Sequence, residues 1–187
     1  RDALRELKFP HLNSSVTGAG FGKSMTNLKK DVESKKNVVK MYIERLIDAI
    51  LMEWKNSGNL KPLLLRGARQ VGKSCAVKHL GESFDYYIEV NFEKRPEVKE
   101  VFETIHDVHE LTNSLSLLYG IPVIAGRTLL FLDEIQACPD AIKSLWTFKE
   151  DYPELHVIAA GSLLEFALET LPSYGVGRIR SIFMYPF

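Results

Sequence analysis

Eight residues constrain this chain more than anything else in it: residues 67–74 read GARQVGKS, a full match to G-x-x-x-x-G-K-[ST]. Such a string works in one setting only. The backbone must curl at its glycines so that successive N–H groups point inward at phosphate oxygens, and a helix must open at its end so that a positive terminus faces the anion. A strand must therefore precede it and a helix follow it. Both are present, as the apolar run PLLLR at 62–66 and a helical pattern from about Lys73 to Leu80. In this setting Gly67, Ala68, Arg69, Gln70, Val71, Gly72, Lys73, Ser74 and Cys75 line the phosphates; Lys73 reaches the β- and γ-phosphates, and the Ser74 hydroxyl ligates Mg²⁺. Chance produces the string in about one chain in a hundred of this size, or fewer.

A near copy, TGAGFGKS at 17–24, tests whether the reasoning discriminates. Thr17 stands where the first glycine belongs, no apolar strand precedes it, and the downstream segment is too polar to pack as a crossover helix. It is read as a coincidence.

Downstream, Tyr86 to Phe92, Thr128 to Leu132, Leu155 to Ala160 and Ile179 to Tyr185 read as further strands. Helical spacing recurs from Val39 to Trp54, through 97–118 in two segments, over Pro139 to Glu150, and over 163–171. Continuously apolar strands alternating with helices predict an α/β layered domain around a mostly parallel sheet.

A phosphate cradle alone does not specify hydrolysis, so the acids matter. TLLFLDEIQ at 128–136 delivers Asp133 at the C-terminal end of a buried strand, where open α/β sheets gather their ligand sites. Asp133 is suited to hold Mg²⁺, mostly through its waters, and Glu134 to orient or deprotonate an attacking water.

RGARQVGKS, FLDEIQACPDAIKSL and LHVIAAGSLLEFAL, followed by VGRI and a strand ending in MYP, resemble the bacterial AAA-type ATPases that are fused to a C-terminal domain of unknown function. The resemblance covers about residues 41–187. It implies a P-loop NTPase three-layer sandwich with a five-stranded sheet in the order 5-1-4-3-2, and a lid and C-terminal domain beyond Phe187. It also suggests roles for three further residues. Ser162, in the turn after the fourth strand, takes the place of a polar γ-phosphate sensor, or caps a helix. Asn91 ends the second strand where relatives hold a polar residue that bonds the catalytic Glu. Arg178, in VGRI, would stabilise γ-phosphate charge within the subunit or across an interface in a homo-oligomer; the match loosens there, around Gly175.

The leading reading is an ATP-binding protein that hydrolyses ATP with Mg²⁺ and uses the cycle as a conformational switch. Adenine is favoured because no N-K-x-D string, the guanine-reading element, occurs. The alternatives are a nucleotide-gated binding module with little turnover, associated with DNA, and a P-loop kinase. A kinase generally needs an Arg-rich lid and has no need of Glu134.

Charge bears on partners. The 24 basic and 24 acidic residues cancel, yet residues 1–40 hold nine Lys or Arg against four Asp or Glu. That segment reads as a poorly ordered basic arm, unlike the core at 41–187, and as foreign to the native product. A basic arm can touch nucleic acid, but a solvated tail is the plainer reading. Two cysteines and no secretory leader favour the cytosol, and no apolar run approaches the roughly 20 residues of a membrane span. His106 and His109 sit near Glu103 and Glu110, a spacing read as a solvated helix face.

Overall fold

The computed structural model of the chain describes residues 42–162 and 177–186. The arm at 1–40, the near copy at 17–24 and the helix expected over 163–171 lie outside the described residues. The chain divides into two units after Ile43, and the sheet and helices belong to the second, Glu44–Phe187.

Helix α1 spans Leu46–Lys55, not the longer stretch from Val39 that the apolar spacing predicts. The correction comes from local capping. Arg45 is extended, at φ −127° and ψ 161°, and its backbone N–H donates to the Asp48 carboxylate at 2.6 Å, which starts the helix one residue later. Ile47, Leu51 and Trp54 then face inward, while Leu46 is 80% exposed.

Five strands follow the sequence expectation closely: β1 (Leu63–Arg66), β2 (Tyr86–Asn91), β3 (Thr128–Asp133), β4 (His156–Ala160) and β5 (Arg180–Phe183). All four pairings are parallel, in the order β2-β3-β4-β1-β5, which is the expected 5-1-4-3-2 seen from the other edge. Every residue of β3 and β4 is buried, as strands covered on both faces require.

Strand side chains alternate between the faces, so the apolar runs feed two cores. Leu64, Ile88, Val90, Leu130, Leu132 and Val157 pack with α3 (Val98–Thr104), α4 (Val108–Tyr119) and α5 (Pro139–Asp151). Leu63, Leu65, Leu129, Phe131 and Ile158 pack instead with α1 and with α2 (Lys73–Gly81). The result is a three-layer sandwich.

The expected two-part helix over 97–118 is divided at Ile105, which is extended, and Asp107 opens α4 by accepting from the amides of His109 and Glu110 at 2.9 and 2.8 Å. The buried stripe of α4 ends at Leu115; Leu118 is 44% exposed. Of the aromatic pair on α5, Phe148 is core, whereas Trp146 is half-buried under the Arg178 guanidinium.

Parallel pairing also fixes the site. Asn91 lies opposite Asp133, Asp133 opposite Ala160, and Ala160 opposite Leu65. The loop after β1, the acids after β3 and Ser162 after β4 therefore share one edge of the sheet.

Candidate functional site

The loop 67–74 leaves β1 and turns into α2, as its sequence demands. Gly67 has φ +136°, and a Cβ there would run into the carbonyl of Met184. That carbonyl is fixed because the Met184 amide donates to Arg66 O at 2.8 Å, so the first glycine is required by β5 passing alongside. Gly72, at φ +90°, supplies the left-handed turn into α2. Gln70 takes a positive φ of 65° without being glycine.

Ala68, Arg69 and Gln70 form the exposed crown of the loop, and Val71 is buried beneath it. Arg69 reaches Glu93 at 3.4 Å, across to the loop after β2. The Lys73 ammonium lies inside the loop and donates to the carbonyls of Gly67 and Ala68, both at 2.8 Å. Burial pulls its pKa below the ordinary lysine value, and the negative charges of Glu134 and Asp133 push it back up. Cys75, next on α2, is exposed.

From Ser74 the loop is joined to the acids. The Ser74 hydroxyl lies 3.2 Å from both oxygens of Asp133. Asp133 is 6% exposed, and burial raises its carboxyl pKa; hydrogen bonds from Ser74 and Asn91 oppose that rise, and the neighbouring Glu134 charge adds to it.

Asn91 is buried beside this pair, but it does not do what the resemblance implies. Its Nδ2 donates to Asp133 Oδ2 at 3.0 Å, not to Glu134. Its Oδ1 accepts from the amides of Glu93 and Lys94 at 3.1 and 2.9 Å. The strand register explains the difference: Asn91 faces Asp133 directly, whereas Glu134 has already left the strand in a left-handed turn at φ 52°, ψ 45°. Glu134 takes its hydrogen bond from Gln136 Nε2, at 2.7 Å.

Ser162 follows β4 between the glycine loop and Asp133, and its Oγ is buried with no hydrogen-bond partner among the described residues. The helix it would cap lies outside those residues. Arg178 is elsewhere. It precedes β5, whose Arg180 pairs with Leu63 at the start of β1, so it sits at the opposite edge of the sheet. Arg178 stands five positions before Phe183, the partner of Arg66, and β5 alone, three steps of about 3.3 Å from Arg180 to Phe183, spans roughly 10 Å, longer than an arginine side chain. There it pairs with Glu150 at 2.7 Å and lies over the Trp146 ring at 4.9 Å. The structure thus brings Lys73, Ser74, Asn91, Asp133, Glu134 and Ser162 together and leaves Arg178 out.

A family model described as an AAA domain matches residues 59–187. The chain belongs to the AAA domain family. Its fold is shared with a solved structure of the Aeropyrum pernix Orc1 protein in complex with DNA, at 18% identity and a TM-score of 0.50, over 75% of this chain. The chain spans 44% of the length of that protein. No curated protein matches it.

Two residues of this AAA domain were invisible as site residues in its sequence. Arg45 lies 26 residues before Val71, yet its Nη1 donates to Val71 O at 2.6 Å and its Nη2 to Tyr185 O at 3.3 Å. It ties the start of α1 and the exit of β5 to the outer side of the loop, where P-loop carbonyls turn away from the phosphates. Nothing local in ERLID marks it. Gln136 was in plain view in DEIQ, but only the turn after β3 folds it back onto Glu134.

The larger picture is that of a nucleotide-binding P-loop ATPase module. Among the described residues no helix is long and apolar enough to cross a membrane.

Proposed function

We propose that this AAA domain binds ATP with Mg²⁺, hydrolyses it, and uses the cycle as a conformational switch. The observation that carries the reading is the contact of Ser74 with both oxygens of Asp133, which places a hydroxyl and a carboxylate side by side at the start of α2. A bound Mg²⁺ would be held by the Ser74 hydroxyl, and by Asp133 mostly through its waters. The buried charge of Asp133 fits such an ion, which when bound would neutralise phosphate charge. The loop amides of residues 68–74 then hold the phosphates, and Lys73 moves its ammonium from the Gly67 and Ala68 carbonyls to phosphate oxygens. Glu134 orients water or takes its proton, and the Ser162 hydroxyl, without a partner among the described residues, senses the γ-phosphate.

The alternative is a nucleotide-gated module with little turnover, in which ATP is held but barely cleaved. DNA association belongs to this alternative, and a C-terminal domain as the switched element rests on the family resemblance. Phosphate release and ATP binding by Glu134→Gln and Lys73→Ala separate the readings. Hydrolysis requires Glu134→Gln to bind ATP but release no phosphate, and Lys73→Ala to lose binding. Wild-type protein that holds ATP with no phosphate release would establish the gated module instead.

A further inference from the structure

We propose that Gln136 positions Glu134 for water activation, the part the resemblance assigns to Asn91; this rests on the reading of Glu134 as the group that orients or deprotonates water. Asn91 is turned elsewhere: its nitrogen donates to Asp133, its oxygen takes two backbone amides, and the strand pairing sets it opposite Asp133 rather than Glu134.

Gln136 is built into the same turn as Glu134. The strand ends at Asp133, Glu134 turns left-handed, and a single 3₁₀ turn at Ile135–Ala137 follows, anchored by the fully buried Ile135. Because the turn is short and pinned at its centre, the side chains of residues 134 and 136 are held at a fixed offset. A carboxylate only accepts, so the amide must present its nitrogen, as the 2.7 Å contact has it.

A methionine at position 136 matches the glutamine in length and lacks its donor, so it removes the bond to Glu134 while keeping the packing of the turn.

The experiment uses the full chain with Gln136→Met and Glu134→Gln, reading the single-turnover rate of phosphate release, ATP affinity and melting temperature. For Gln136→Met we expect the release rate to fall about 10- to 100-fold, the range that a misplaced reacting group produces. ATP affinity should stay within twofold and the melting temperature should hold, because the substitution acts through the Glu134 carboxylate alone. A fall in ATP affinity or in melting temperature that accompanies the loss of turnover would assign Gln136 a structural role and overturn the inference. A wild-type release rate in Gln136→Met beside an inactive Glu134→Gln would also overturn it while leaving the reading of Glu134 standing. Wild-type turnover in Glu134→Gln would sink that reading itself.

Discussion

Replacing Asn91 by alanine tests whether the second strand serves Asp133 or Glu134. The substitution removes a hydrogen bond of 3.0 Å to a buried carboxylate and two bonds to the amides of Glu93 and Lys94. Those amides belong to exposed residues and can turn to water, so most of the loss falls on Asp133. A bond to a charged group contributes about 1.5–3 kcal/mol, and the solvated pair adds less than about 1 kcal/mol. Together they correspond to about 2–3 kcal/mol, or a melting temperature lower by about 5–10 °C in a domain of this size. The Asp133 carboxyl, already pushed up by burial, loses a donor that holds it down, and Mg²⁺ affinity should fall with it. The assay is thermal unfolding of a double-variant cycle. Asn91→Ala with Asp133→Asn should be coupled by about 1 kcal/mol or more, and Asn91→Ala with Glu134→Gln should be additive within about 0.5 kcal/mol. Strong coupling to Glu134 with none to Asp133 would refute this account of the strand end.

Gly67→Ala, blocked by the Met184 carbonyl and by its positive φ, should cost at least about 2 kcal/mol of stability in denaturant unfolding, whereas Gly58→Ala, in open space, serves as a near-neutral control. Arg45→Ala should weaken ATP binding about tenfold, as expected for losing one charged hydrogen bond to the loop, with a smaller effect on kcat; calorimetric titration and steady-state kinetics read the two. Arg178→Ala should change turnover per subunit less than twofold at protein concentrations low enough to suppress assembly, because its partners are Glu150 and Trp146. His156 gives a pH dependence. Burial lowers its pKa, the bond to Lys55 O partly opposes this, and its Nδ1 has no partner among the described residues. The folded state resists a proton that the unfolded chain accepts from about pH 6.5 downward, so stability should fall as pH drops through that value and hold above it. Melting curves from pH 8 to 5 should show a steeper loss for wild type than for His156→Gln.

Strands and the glycine loop were legible because their signals are local. The apolar runs of the three inner strands, β1, β3 and β4, mark strands covered on both faces, and the eight loop residues carry their own conformational demands in two glycines. What stayed hidden depends on long-range register or on caps. The start of α1 is set by Asp48 bonding the Arg45 amide, which overrides an apolar period that continues upstream. Arg45 reaches the loop only because α1 packs beside α2. Arg178 could be placed just before the last strand from sequence, but the end of the sheet it occupies follows from Arg180 pairing with Leu63, a register that no local pattern encodes.

The two adjacent acids show how one register sorts two chemistries. Asp133 is the last residue of β3 and inherits the strand's geometry: it is buried, opposite Asn91, and aimed at Ser74. Those donors compensate a charge that the interior opposes, and the arrangement suits a rigid ligand for a cation. Glu134 is one residue later, and the left-handed turn releases it from the pairing, so it is half-buried and held by a single side-chain bond from its own turn. Held by that one bond outside the strand pairing, the Glu134 carboxylate can be aimed at water rather than at the cation. The dipeptide Asp-Glu thus divides its labour at the point where the strand stops; because successive strand side chains alternate faces, a strand one residue longer would turn Glu134 to the face opposite Asp133.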